Sequence, residues 1–343
     1  MDFDFIAGFA ILLFGAVCGG SFGLPSKFVS KSLPWENLWG PFFLFATLLL
    51  PLVAGPALVP GLLGIYTQAG LLGLLLPFAF GVLWGLGSMT LGLSFAYIGL
   101  SLAYAINYGG QIIVGSLGPM LIHTPEKFLT LSGIVIVAGV AVCLVGVVLC
   151  GRAGILKAAN EADPDATKKN GMPGLVLALV SGILCACYAI AFSFAGRISE
   201  VTGADPYAVT DWRNSLPATF LILFGGFFSS CAYCAVKLSK NKTWGSFRLP
   251  GAAFAVAIAL VMAVLHDAAV GLFGLGAGKL GSLGVSVGYT VFMAFAIMVG
   301  NFNGLLTGEW RNAGRPATRC IQAGIIVLVI AVCILGLGKG LDV

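Results

Sequence analysis

Five uncharged polar side chains recur along one otherwise apolar stretch, residues 99–118: Ser101, Tyr104, Asn107, Tyr108 and Gln111. At about 3.6 residues per turn, positions 101, 104, 108 and 111 share one helix face, with 107 at its edge. Lipid cannot satisfy such groups, so within a membrane they must meet protein, water or a solute. Amides and hydroxyls without charge suit a neutral, polyhydroxylated solute. The same residues also serve as interhelical glue when they stand beside small residues, as these do beside Gly109, Gly110 and Gly115.

A second chemistry centres on Asp267, the one carboxylate placed well inside an apolar run; Glu36, Asp211 and Glu309 fall at run ends. A charged side chain at a helix centre costs about 2.5–3.5 kcal/mol on insertion scales, so such residues line cavities, hold protons or fix packing through hydrogen bonds. A carboxyl group away from water favours its neutral form, which suits a proton carrier. An imidazole is the side chain suited to exchanging protons near neutral pH, which makes His266 a second candidate. Adjacent helical residues point about 100° apart, so His266 and Asp267 are not expected to share a face. Trp84 and Ser88 lie on one face, where an indole can cover the C–H side of a sugar or simply fill a core. Ser181, Cys185 and Tyr188 form another stripe, and Tyr289 carries a phenol that needs a partner when buried. Asn301 reads as packing. The candidate solute-binding set is therefore Trp84, Ser88, Tyr104, Asn107, Gln111, Tyr188, His266 and Tyr289, with Asp267 for proton coupling. Lys27, Glu36, Glu309, Arg311 and Arg315 stand at run ends, where they anchor helices or bridge two halves as a gate.

These residues need membrane helices to position them. Of 343 residues, 59% are hydrophobic and 9% charged, against about 25% charged in soluble domains. The apolar runs are continuous, unlike the alternation of a transmembrane barrel. The net charge of +5 is scattered over loops and offers no nucleic-acid face. Most of the nine cysteines lie in apolar runs, where Cys behaves as a small hydrophobe. Cys231-x-x-Cys234 has no matching pair or flanking His, so no metal and no cofactor are expected. Asp2 and Asp4 precede the first run where a cleavable signal would carry Lys or Arg.

Runs long enough to span a bilayer fall near 5–24, 38–55, 70–94, 99–121, 129–150, 173–195, 214–237, 250–275, 282–306 and 317–338. Connections following odd-numbered spans carry 13 Lys and Arg and the other side carries 5, which predicts cytoplasmic odd connections and both termini outside. The chain also repeats itself. Ala141–Gly146 parallels Ala331–Gly336, Gly15-x-x-Cys18 parallels Gly182-x-x-Cys185, Tyr104 and Gly115 parallel Tyr289 and Gly300, and Trp84 aligns with His266. The expected fold class is an all-α polytopic membrane protein of ten transmembrane helices in two five-helix repeats, residues 1–151 and 173–343, joined by a cytoplasmic linker at 152–172. An odd number of spans per repeat makes the halves inverted, as in many alternating-access transporters.

Lys27, Trp35-Glu36, Trp84-Gly85-x-Gly87, Gly92-Leu93 and Tyr97-x-Gly99-x-Ser101 resemble the bacterial L-rhamnose–proton symporter family. So do Arg152-Ala153-Gly154 with Lys157, and Glu309-Trp310-x-Asn312-Ala313-Gly314-Arg315, the most specific piece. The likeness runs over essentially the whole chain. It implies the drug/metabolite transporter fold in the bacterial cytoplasmic (inner) membrane, with a deoxyhexose and protons as partners. It departs at Leu265-His266-Asp267-Ala268, where the family commonly carries a Trp with an aromatic or apolar neighbour, and at Asn107 and Gln111, where its residues are more often apolar or small.

The reading is a monosaccharide–proton symporter for L-rhamnose or a related deoxyhexose. Transport of an amino acid or other metabolite is the nearest rival. A membrane-embedded enzyme would need clustered acids with a metal or a nucleophile with its base, and no such motif is found. No charged ring or filter signature suggests a channel. The sequence leaves the oligomeric state open, a monomer included.

Overall fold

In a computed structural model of the chain, the described residues are 3–30, 33–98, 100–160, 171–201, 215–280, 284–308, 310, 311 and 313–341, with several side chains between 92 and 105 left undescribed. Among them there are helices and connecting turns and no strand. The long helices are α1 (Phe3–Ser21), α2 (Trp35–Leu58), α3 (Leu62–Ile98), α4 (Leu100–His123) and α5 (Leu131–Asn160). They continue with α6 (Gly171–Ser193), α7 (Leu216–Lys240), α8 (Ala252–Lys279), α9 (Gly284–Leu306) and α10 (Gly314–Gly340). Nine of these helices contain segments long and apolar enough to cross a membrane among the described residues; α4 is not among the nine.

Two of the helices are interrupted where their sequences demand it. Pro41 and Pro51 lie in α2, and a π turn over Phe45–Leu49 absorbs the mismatch between them. Thr47 donates its hydroxyl to the Phe43 carbonyl at 2.6 Å there. In α3 the backbone breaks at Gly70, whose φ of 68° and ψ of 169° suit glycine. The expected span began at 70; the helix in fact starts eight residues earlier, on the far side of that break. Likewise α5 runs eight residues past Arg152, where the linker was expected to begin, and residues 161–170 lie outside the described set.

The helices pair in a pattern that repeats with a shift of five. Helix α3 packs on α6 and α7; α8 packs on α1 and α2. Helix α4 packs on α5 and α6; α9 packs on α10 and α1. The pair α5 and α10 runs antiparallel, since a Cβ at Gly139 would meet Leu335, one at Gly146 would meet Leu328, and one at Gly324 would meet Cys150. The shared cores hold Ile112, Ile136, Leu328 and Leu335 on one side, and Leu12, Tyr188, Phe273 and Tyr289 on the other. Large apolar side chains such as Val53, Leu71, Val148 and Ile326 are exposed, which fits a surface turned to lipid rather than water.

One end of the bundle carries Lys27, Glu36, Lys157, Arg311 and Arg315; it is the basic end below. The opposite, distal end carries the C-terminal turns of α4, α6 and α8.

Close approach depends on glycine. A Cβ at Gly81 in α3 would strike the Ile222 carbonyl of α7, and one at Gly225 would strike the Phe78 carbonyl. Gly81→Leu is therefore expected to destabilise the bundle by at least about 1–3 kcal/mol, the usual cost of overpacking. Gly64, with nothing within 4 Å of an added Cβ, provides the control. Thermal unfolding in detergent should show a lowered midpoint for Gly81→Leu and an unchanged one for Gly64→Ala.

Candidate functional site

The polar stripe of α4 becomes a hydrogen-bonded chain across four helices. Asn107 donates from Nδ2 to Ser181 Oγ of α6 at 2.7 Å, and Ser181 donates onward to the Gly87 carbonyl of α3 at 2.8 Å. Gln111 donates from Nε2 to Asn107 Oδ1 at 2.5 Å, and Tyr289 of α9 donates its hydroxyl to Gln111 Oε1 at 2.9 Å. Asn107 and Ser181 are fully buried, Gln111 and Tyr289 nearly so. Helix α6 reaches α4 because position 182 is glycine; a Cβ there would stand 2.6 Å from the Asn107 carbonyl oxygen. Beside this chain, Ser116 and Thr290 share a further bond between α4 and α9. The side chains of Ser101 and Tyr104 lie outside the described set.

The second cluster joins residues from four helices. His266 Nδ1 lies 3.0 Å from Asp267 Oδ1, so the two neighbours interact directly. This corrects the expectation from helical spacing. The 100° offset separates Cβ directions, but Nδ1 and Oδ1 stand only two bonds beyond Cβ, and rotation about χ1 brings them together. An ionised Asp267 accepts from Nδ1–H, which leaves Nε2 as the second nitrogen of the pair. The imidazole is ringed by Phe22 at 5.7 Å, Phe42 at 5.7 Å and Trp84 at 5.8 Å between centroids. Trp84 and His266, aligned by the repeat, thus face each other. Asp267 is 19% exposed and His266 14%, so the pair is largely withdrawn from solvent.

Tyr188 borders the same cluster, 5.9 Å from Trp84 and 6.0 Å from Phe273 between ring centroids. Its hydroxyl is buried and makes no hydrogen bond of normal geometry among the described residues, with the Thr219 side chain as its polar neighbour. Buried phenols nearly always complete their hydrogen bonds, so this hydroxyl keeps bonding capacity in reserve beside an aromatic wall. Ser88, one turn from Trp84, donates to the Trp84 carbonyl at 3.2 Å and is half-buried. Asn301 donates to the Ile297 carbonyl of its own helix, in keeping with a packing role.

The two ends of the bundle differ. At the basic end, Lys27 Nζ donates to Thr307 Oγ1 at 3.1 Å, and Asn303 Nδ2 donates to the Gly20 carbonyl and Ser21 Oγ, tying α1 to α9. Glu36 Oε1 accepts from Asn241 at 2.9 Å and from Thr243 at 2.8 Å, tying α2 to the end of α7 and the turn after it. Arg315 is exposed, with Arg311 and Arg319 nearby around a shallow cavity. Glu309 and Asp211 lie outside the described residues. At the distal end a cavity of about 350 Å³ opens between Met120, His123, Phe192, Ser193, Ala277 and Ser286. Phe192 on its wall stands 5.9 Å from Phe273, so a run of rings, Phe192, Phe273, Tyr188 and Trp84, connects cavity to imidazole.

Sequence reasoning missed Phe22, Phe42 and Phe273, because a Phe in an apolar run carries no mark of what it faces. It also missed Asn241, Thr243 and Asn303; polar residues at helix ends are too common to single out. Among the described residues no group of His, Cys, Asp and Glu could hold a metal ion.

A bundle of membrane-length helices with a buried acid–imidazole pair inside is a membrane protein with a candidate functional site in its interior. The chain belongs to the L-rhamnose-proton symport protein family (RhaT), whose model matches residues 1–341. That description is of a proton-coupled sugar carrier and not of an enzyme. The L-rhamnose-proton symporters of Salmonella paratyphi A and Citrobacter koseri are each 30% identical to it over 340 residues, covering 95% of this chain and 96% of theirs. That of Salmonella typhi is 30% identical over 346 residues with the same coverage.

The two tyrosines give opposite expectations. Tyr289→Phe removes a bond on which Gln111 depends, and interhelical bonds of this kind cost about 0.6–1.7 kcal/mol to lose in membranes. Tyr188→Phe removes a hydroxyl that makes no hydrogen bond of normal geometry among the described residues. Thermal unfolding in detergent should show a lower midpoint for Tyr289→Phe and no loss for Tyr188→Phe.

Proposed function

We propose that this protein imports L-rhamnose or a related deoxyhexose together with protons, by alternating access, across the bacterial cytoplasmic membrane. The observation that carries the reading is family membership over the whole length of the chain. The architecture proposed is that of the drug/metabolite transporter superfamily, with α4 as a tenth span, repeats at 1–151 and 173–343, a cytoplasmic linker between them, and both termini periplasmic. The shift-by-five pairing of helices supports two related halves, and five spans in each make the second half inverted. The basic end is then cytoplasmic.

Within this reading the solute reaches the interior from the distal cavity. Trp84 offers a flat wall to its C–H face, Tyr188 offers its hydroxyl, and His266 and Ser88 lie alongside. Asn107, Gln111, Tyr289 and Tyr104 are assigned to the sugar's hydroxyls. The first three have bonded to one another and to Ser181 here, so they serve the sugar only when α4 and α6 separate. Asp267 carries the proton, with His266 Nδ1 beside it at 3.0 Å as its hydrogen-bond partner. Lys27 and Glu36 act in the cytoplasmic closure through their bonds across the halves, and Glu309 and Arg315 are placed at the same end. Coupling requires that sugar and proton bind one state better than the other, since a ligand with equal affinity for both shifts nothing.

Proteoliposomes with an inward proton gradient provide the test. Labelled L-rhamnose should accumulate, and a protonophore should abolish accumulation; uptake indifferent to the protonophore rules out symport. Asp267→Asn should lose accumulation and retain sugar exchange, and full accumulation by that variant removes Asp267 as carrier. Tyr188→Phe should weaken sugar affinity by about two- to tenfold, the worth of one neutral hydrogen bond, with stability unchanged.

A further inference from the structure

We propose that the arginine-lined cavity at the basic end binds the phosphate of an anionic membrane phospholipid. The cavity measures about 360 Å³ and is lined by Trp310, Arg311, Gly314, Arg315, Thr318 and Arg319. Arg315 and Arg319 are one turn apart on α10 and so share a face. Arg311 joins them because the chain turns at Gly308, where φ is 76°, and the Arg311 side chain lies across that turn; an added Cβ at Gly308 would stand 3.1 Å from Arg311 Nε. All three arginines are exposed, and among the described residues none pairs with a carboxylate.

Three like charges around one cavity repel one another, and an anion between them relieves the repulsion. Guanidinium groups grip phosphate oxygens in bidentate fashion, which lysine does not match. The Lys157 ammonium stands 5.4 Å from the centroid of the Trp310 ring and adds positive charge to the rim.

Position selects the source of the phosphate. The cavity sits where the apolar segment Val285–Leu306 ends and Gly314–Gly338 begins, at headgroup depth for a bilayer of ordinary thickness. Phe302, Leu305 and Leu306 are exposed on the α9 turns leading to it, an apolar track that acyl chains can follow and free phosphate cannot use. Trp310 carries an indole of the kind enriched at the membrane–water interface. Basic pockets of this kind between helices on the cytoplasmic side suit cardiolipin and related anionic headgroups. This site is independent of which solute the protein carries.

The test uses the full chain in neutral detergent, titrated with cardiolipin, phosphatidylglycerol, phosphatidylcholine or inorganic phosphate. Anionic lipids should raise the thermal midpoint and remain attached in native mass spectrometry, with affinity falling as salt rises. Phosphatidylcholine and inorganic phosphate should do neither. The triple variant Arg311→Gln, Arg315→Gln, Arg319→Gln should lose the preference while keeping its midpoint in phosphatidylcholine. Should that variant fold poorly, Arg319→Gln alone, at an exposed position, should weaken anionic-lipid binding several-fold. Equal stabilisation by phosphatidylcholine, an equal shift with phosphate alone, or undiminished preference in a folded Gln variant overturns the proposal.

Discussion

Helices in lipid have no hydrophobic incentive to associate, so what holds this bundle together is close backbone approach and interhelical hydrogen bonding. Glycine supplies the approach. Gly81 and Gly225 let α3 and α7 lie carbonyl against Cα, Gly87 brings α3 to within 2.6 Å of the Cys185 amide measured from an added Cβ, and Gly182 does the same for α6 against α4. Gly8 and Gly276 bring α1 to α8 in the other half of the pairing pattern. Every candidate functional group follows from these seams. Trp84 meets Tyr188 because α3 and α6 touch, and Ser181 can stand between Asn107 and the Gly87 carbonyl because three helices converge there.

The same physics explains the unequal use of polar groups. Ser181, Asn107, Gln111 and Tyr289 satisfy one another, as buried polar groups in a low-dielectric setting must. Among the described residues the Tyr188 hydroxyl makes no hydrogen bond of normal geometry, and the imidazole of His266 meets three rings and the Asp267 carboxylate. A saturated network contributes rigidity. An unsaturated hydroxyl next to an ionisable pair is where a new partner gains most, since its bonds displace none already made. The two clusters therefore differ in kind: one ties α4, α6 and α9 to one another through completed bonds, and the other keeps bonding capacity in reserve.

Much of this was legible in the chain. Span positions follow from apolar runs, and the boundaries moved where local chemistry was overlooked: Gly70 permits a break that lets α3 begin at Leu62, and the apolar pattern says nothing of how far α5 continues past Arg152. The stripe on α4 was visible as a stripe, but its partners belong to other helices, and no spacing rule reports that Ser181 and Tyr289 close the chain. His266 and Asp267 failed for a different reason. Helical geometry fixes where Cβ points, and short polar side chains recover 100° by rotation. The facing of Trp84 and His266 was half visible, since the sequence parallel aligned the two positions without saying that their rings meet.

The ends of the bundle bear on how such a carrier can move at all. At the basic end the two halves are tied by a handful of neutral or singly charged hydrogen bonds: Lys27 to Thr307, Asn303 to Gly20 and Ser21, Glu36 to Asn241 and Thr243. Each is worth roughly 0.5–1.5 kcal/mol, somewhat more where a charge takes part, and water replaces them on opening. Moving a two-state protein from one part in a hundred to ninety-nine takes about 5.5 kcal/mol of differential affinity. Ties of this strength fall within that range, whereas a buried ion-pair network or a glycine seam broken along its length would not. The seams α3–α7 and α1–α8 are hence the stiff parts of the bundle, and the polar ends carry its weakest ties.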